Sequence, residues 1–138
     1  MSIVGFNFSK IVAERKEMGK GNINIKNNVV VKEVKERDLA LGTDKQKALQ
    51  FLFEFSSKYE PNVANILLEG DVLLIEDSKR SKEILDEWKK SKKVNREVMG
   101  AVLNTVLNRC NIQALILSQD INLPPPIPLP KLTEQGKK

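Results

Sequence analysis

Apolar and polar residues alternate with a period of two through the first half of the chain, which is the pattern of strands that bury one face. The alternation is clearest where Leu49, Phe51, Phe53, Phe55 and Tyr59 fall on odd positions and polar residues stand between most of them. Similar but shorter patterns occur upstream and downstream. The chain therefore predicts four strands, at residues 4–13, 23–38, 49–59 and 63–75, and the far end of the second strand is polar.

The strand pattern is irregular at three places. Apolar residues change from even to odd positions near Ser9 and Lys10, which predicts a β-bulge in the first strand. Gly70 predicts a second bulge, in the fourth strand. The polar stretch 38–47 contains Gly42 and Asp44 and predicts a loop longer than a hairpin needs, so the second and third strands need not be neighbours.

The pattern changes to a helical period after residue 76. Asp77 and Ser78 predict the start of a first helix, which is followed by a polar hinge at 89–93. Asn95 has the character of an N-cap for a second helix, and Asn111 that of its C-terminal stop. Segment 112–118 could form a further short helix. The apolar residues of the second helix recur at intervals of three and four: Val98, Met99, Val102, Leu103, Val106, Leu107 and Cys110.

Residues 122–130 are rich in proline, so they predict an extended, polyproline-like strap. The strap could pack on its own domain, bind an aromatic groove elsewhere, or line a groove for another chain. Four strands followed by helices and a strap predict an α+β fold, in which helices cover one face of an antiparallel sheet. We expect one domain over residues 1–132 and a disordered basic tail over 133–138.

The amino-acid composition argues against several kinds of functional site. The chain of 138 residues has no histidine and one cysteine, Cys110, which argues against a metal site, a cofactor site and a catalytic base. No stretch is apolar enough for a membrane helix, and no secretory signal is recognisable, so we expect a cytoplasmic protein. Because the composition argues against a catalytic base, we also expect that the protein is not an enzyme. The net charge of +5 leaves a nucleic-acid-binding module as an alternative, although lysines and glutamates are interspersed and no aromatic platform accompanies them.

Three segments resemble the SecB family of bacterial export chaperones. They are ALQFLFEF at 48–55, ILLEGDVLLI at 66–75, and LNRCNIQAL at 107–115 followed by NLPP at 122–125. The resemblance implies a four-stranded antiparallel sheet with a long helix packed on it, and assembly into a dimer or tetramer. It also implies an ATP-independent holdase that binds unfolded polypeptides in apolar grooves and delivers them to an export machinery.

We expect the groove to form where the segment after the long helix and the strap meet the sheet. The candidate client-binding residues are Tyr59, Ile112, Leu115, Leu117, Leu123, Ile127 and Leu129. The wide apolar stripe of the long helix could serve both the core and a partner subunit. The candidate interface residues are Val98, Val102, Thr105, Val106 and Arg109. A purely structural oligomeric subunit, with no client, remains the further alternative.

Overall fold

The computed structural model describes residues 2–16, 23–41, 44–61 and 63–127. Its strands are β1 (Ser2–Arg15), β2 (Asn24–Leu41), β3 (Asp44–Glu60) and β4 (Ala64–Ile75), and its helices are α1 (Ser78–Ser91) and α2 (Arg96–Asp120). The tail residues 133–138 lie outside the described part, and the division into one domain and a tail stays a prediction.

The four strands form one antiparallel sheet in the order β1-β4-β3-β2. One face of the sheet carries the buried row of β3 and packs against both helices. The helix α1 lies over β2 and β3, and α2 crosses β4, β3 and β1. No described helix covers the opposite face. The predicted α+β fold, with helices on one face of an antiparallel sheet, is therefore confirmed.

The predicted bulge near Ser9 is confirmed, because the register of β1 against β4 shifts between Phe8 and Lys10. The second predicted bulge was placed in the wrong strand: the register of β1 against β4 shifts between the pairs Phe8–Gly70 and Lys10–Glu69 with the extra residue in β1, and β4 pairs with β3 without a shift. Gly70 serves a close approach instead: a Cβ atom at this position would lie 2.0 Å from the carbonyl oxygen of Asn7 and 2.9 Å from the ring of Phe53. The absence of a side chain at Gly70 allows β1 and the ring of Phe53 to approach its backbone closely.

The predicted long loop at 38–47 is wrong. β2 continues to Leu41 and β3 begins at Asp44, so the two strands are paired neighbours. Asp38, Gln46 and Lys47 are exposed at this end of the ladder, and an ion pair of 3.3 Å joins Lys47 to Glu36 across it. Two strands can pair through their backbones where they extend into solvent, without a row of apolar side chains. The ends of β2 and β3 therefore lack the apolar–polar alternation that predicts a strand.

Both helix starts are confirmed. The carboxylate of Asp77 accepts a hydrogen bond from the backbone of Arg80, and the side chain of Asn95 accepts one from the backbone of Glu97. The predicted stop at Asn111 is wrong, because Ala114 and Ser118 continue the buried row by steps of four. The helix ends before Asn122, whose φ is 56°. Segment 112–118 is thus part of α2. None of the described helices is long and apolar enough to cross a membrane.

Candidate functional site

The strap that follows α2 is tied to the end of the sheet by two hydrogen bonds to its carbonyl groups, and a third bond holds the carbonyl of Ile121 at the end of α2. The hydroxyl of Tyr59 donates to Pro124 at 2.6 Å, and the amide of Asn27 donates to Pro126 at 2.8 Å. The guanidinium of Arg15 donates to Ile121 at 3.2 Å. Donors on β1, β2 and β3 therefore hold the chain across the sheet, and the described part of the strap packs on its own domain.

Tyr59 lies beneath the strap. Its side chain is 1% exposed, and burial raises the pKa of its hydroxyl to about 12. Asn27 is positioned by a second bond, in which the hydroxyl of Ser57 donates to its carbonyl oxygen at 2.6 Å. Tyr59 thus supports the strap from within and does not offer a surface to another molecule.

An apolar cavity of about 310 Å³ opens between the last turns of α2 and the strap. We call it the strap cavity. The helix supplies Leu115, Ile116, Ser118 and Gln119, and the strap supplies Leu123 and Pro125. Leu123 is 9% exposed and forms its base, whereas Ile116 is 47% exposed at its edge. The site is therefore an open apolar surface, bordered by few polar groups.

The predicted client-binding residues are only partly brought together. Leu115 and Leu123 line the strap cavity. Ile112 is 58% exposed one turn before Ile116 and extends the apolar surface along the helix. Leu117 packs against the core cluster, and Ile127 is half-buried on the strap. Leu129 lies outside the described residues.

Sequence reasoning missed Ile116 and Pro125 as lining residues. A signal for Ile116 was present, because Ile112 and Ile116 stand four apart on the side of the helix away from Cys110, Ala114 and Ser118. The assumption that the helix stops at Asn111 concealed it. Pro125 could not be separated from its neighbouring prolines without knowing which way the strap turns.

The candidate interface residues divide between the inner and outer sides of α2. Val98, Val102 and Val106 are fully buried against the sheet. Thr105 is half-buried and its hydroxyl donates to the carbonyl of Ala101, while the guanidinium of Arg109 lies 4.8 Å from the ring centre of Phe6. Of the five, only Thr105 and Arg109 keep accessible surface in this chain, although Arg109 also packs over the ring of Phe6 on β1.

The uncovered face of the sheet carries ion pairs. Glu69 contacts both Lys10 and Lys32, and its hydrogen bond with Lys32 lowers the pKa of Glu69 and raises that of Lys32. Asp71 accepts a hydrogen bond of 2.6 Å from Gln50. Within the described ranges, no group of three or more acidic or cysteine side chains could hold a metal ion.

Comparisons with known proteins give one structural likeness. No protein-family model matches the chain, and no curated protein matches it. Among solved structures, the fold is similar to a SecB-like chaperone of Mycobacterium tuberculosis, determined in complex with a ChAD peptide from the HigA1 antitoxin. The TM-score is 0.49 and the identity 14%, over 96% of this chain and 91% of that one. At this level of similarity, no conclusion about function rests on the likeness.

Proposed function

We propose that this protein is an ATP-independent chaperone that holds non-native polypeptides on the apolar surface of the strap cavity. The observation that carries the proposal is the position of Ile112 and Ile116, which are 58% and 47% exposed beside a cavity with an apolar base. Apolar surface left open by folding is a common mark of a binding site.

The chemistry of the site suits a client without a fixed sequence. Burial of apolar side chains contributes roughly 25 cal/mol per Å² and is non-directional, so an extended chain can bind in many registers. The cavity of about 310 Å³ accommodates only a few side chains at once. Binding at one site is therefore weak after the cost of ordering the client, and holding needs several sites.

We propose that the several sites come from self-association into a dimer or tetramer, as the sequence resemblance implies. The outward-facing members of the predicted interface are Thr105 and Arg109. We expect Thr105→Glu combined with Arg109→Glu to lower the mass measured by light scattering while the circular dichroism spectrum is unchanged. A wild-type protein that is monomeric at all accessible concentrations would contradict this part of the proposal.

Suppression of aggregation tests the function. The protein, added in increasing amounts to a chemically unfolded model client on dilution, is expected to reduce light scattering without nucleotide. Ile112→Gln combined with Ile116→Gln should raise the amount required by about tenfold, a loss of about 1.4 kcal/mol in binding.

Val30→Gln is the matched control, because Val30 is 38% exposed but lies on the uncovered face of the sheet, opposite Glu54. This variant should protect the client like the wild type. The proposal is abandoned if the wild-type protein leaves aggregation unchanged, or if the double variant protects as well as the wild type.

A further inference from the structure

A second cavity lies at the other end of α2, where the chain leaves α1. It has a volume of about 470 Å³, and we call it the junction cavity. Its apolar base is formed by half-buried Val94, Met99 and Leu103. Its lining also includes Gly100 and three cations, Lys92, Lys93 and Arg96, and no acidic residue. Glu97 is nearby in sequence but is not part of the lining.

Contacts within the described chain do not explain the glycine at position 100. It lies in the interior of α2 and is exposed, where glycine is less favourable than alanine. A Cβ atom added to Gly100 would meet nothing within 4 Å, so the described chain leaves room for a side chain at this position. Glycine is favoured where another backbone or a ligand must approach closely. The open space above Gly100 is inside the junction cavity.

Lys92 also departs from local preference. It adopts a left-handed conformation, with φ of 57°, at the C-cap of α1, a position usually occupied by glycine or asparagine. Its Nζ atom lies 5.5 Å from the ring centre of Trp88. Two residues that contradict local backbone preference thus line the same cavity. Such departures are characteristic of functional positions.

We propose that the junction cavity docks an acidic segment of a partner polypeptide that carries one large apolar side chain. The apolar side chain enters above Gly100, and the flanking carboxylates pair with Lys92, Lys93 and Arg96. The positive end of the α2 dipole and the negative end of the α1 dipole both lie here and oppose each other, so the attraction for carboxylates comes from the three cations. This site is roughly 25 Å from the strap cavity along the helix axis, so it is separate from the proposed client surface.

Two other anionic partners fit the cavity less well. A nucleic acid would gain little from an apolar base, and the indole of Trp88, only 6% exposed, offers no stacking platform. A membrane surface is bound by apolar side chains that protrude, whereas Val94, Met99 and Leu103 are each half-buried.

The test uses a fluorescein-labelled peptide in which a single leucine is flanked by aspartates and glutamates. We expect binding with a dissociation constant of roughly 1–100 μM that weakens as salt is added. A peptide with serine in place of leucine, and one with amides in place of the carboxylates, should each bind at least about tenfold more weakly.

Variants locate the site. Gly100→Gln fills the space above the helix and should weaken peptide binding by about tenfold or more, and Gly100→Ala, which adds a single methyl group, should weaken it by a smaller factor of about threefold. Lys93→Glu combined with Arg96→Glu should weaken binding similarly, while Lys79→Glu combined with Lys82→Glu, the same charge change on α1, should not. Ile116→Gln should leave peptide binding unchanged, and Gly100→Gln should leave suppression of aggregation unchanged.

Several results would overturn the proposal. They are absence of peptide binding, equal binding of the amide-containing peptide, or undiminished binding by Gly100→Gln. Tighter binding of a single-stranded DNA oligonucleotide or of phosphatidylserine vesicles, lost on the same substitution, would assign the cavity to a different partner and equally end this proposal. Circular dichroism and thermal melting establish that each variant is folded.

Discussion

The ring of Tyr59 is almost completely buried, and its hydroxyl donates a 2.6 Å hydrogen bond to the carbonyl of Pro124. A proline-containing segment has few backbone donors, so its carbonyl groups must be satisfied from elsewhere. Tyr59 and Asn27 supply donors to the strap from β3 and β2, and Arg15 on β1 supplies one to Ile121 at the end of α2. At the scale of the residue, the position of the strap therefore depends on a few polar contacts.

Tyr59→Phe tests this dependence. The ring remains but the hydroxyl is lost, which leaves the carbonyl of Pro124 without this donor. We expect the free energy of unfolding to fall by about 1 kcal/mol, measured by denaturation in urea. An unchanged midpoint and slope would show that the bond contributes nothing to stability.

The same hydroxyl should titrate late. Its folded pKa of about 12 is above the value of about 10 for an unfolded chain. The stability contribution is complete below pH ~10, and it is lost as pH rises towards 12, because the unfolded chain ionises first. Tyrosinate absorbance of the single tyrosine should rise near pH 12, or together with unfolding. A reversible titration near pH 10 with a native circular dichroism spectrum would contradict this.

The same substitution at two glycines should have opposite effects. Gly70→Ala places a methyl group against the backbone of β1, so we expect a loss of about 3 kcal/mol in the free energy of unfolding. Gly100→Ala improves an exposed helix position with open space around it, so we expect a gain of about 1 kcal/mol. Thermal melts of both variants measure the difference, and a tolerated Gly70→Ala would refute the close approach.

Sequence reasoning recognised these residues unequally. It identified the phenylalanine row of β3 as core, which the structure confirms, because alternation by itself defines a buried face. It assigned Gly70 to a bulge, because glycine in a strand has two meanings that only the neighbouring strand separates. It left Tyr59 open between the buried row of β3 and the client-binding surface, because a tyrosine near a strand end says nothing about what covers it.

At the scale of the element, α2 is defined by a buried row at steps of four: Val98, Val102, Val106, Cys110, Ala114 and Ser118. A step of four advances slightly more than one turn, so the buried row winds around the helix. The sides left open also change along α2, from Gly100 near its start to Ile112 and Ile116 near its end. One helix thus presents separate surfaces at its two ends.

The rate at which the thiol of Cys110 reacts measures how firmly α2 is held against the sheet. Its thiol is fully buried and burial raises its pKa to about 12, so it is both inaccessible and protonated in the folded chain. We expect alkylation by iodoacetamide at mildly alkaline pH to be at least about a hundredfold slower than for the unfolded chain, since it requires opening of α2. Labelling at the rate of the unfolded chain would mean that α2 is not held against the sheet.

Element type was more predictable from sequence than element ends. The caps Asp77 and Asn95 are local signals and located both helix starts. The end of α2 was missed because Asn111 is a possible stop, and only the continued burial of Ala114 and Ser118 shows that the helix goes on. Polar residues at the hairpin of β2 and β3 concealed the strands, since backbone pairing carries no side-chain signal there.

At the scale of the whole molecule, the two faces of the sheet differ. One face is covered by both helices, and the other carries ion pairs around Glu69 and a hydrogen-bonded Asp71. The apolar cavities lie at the strap and at the helix junction, on the covered side of the fold. We therefore expect partners to contact α2 and its two ends.

The general location of the site, where the end of the helix meets the strap, could be proposed from the sequence. Its composition could not, because Leu117 and Ile116 are adjacent in sequence and equally apolar. Their different positions follow from the winding of α2, which places Leu117 against the core and Ile116 at the surface. The junction cavity gave no sequence signal except Gly100, whose meaning depends on what surrounds it.

Amide hydrogen exchange, measured with and without a permanently unfolded client, tests the central claim most directly. We predict that the client slows exchange in the last turns of α2 and at Asn122, Leu123 and Ile127, the residues of the described strap that carry an amide hydrogen, with little change in β2 and on the uncovered face of the sheet. Protection confined to other elements, or no protection at a client concentration that prevents aggregation, would contradict the assignment of the strap cavity as the client-binding surface.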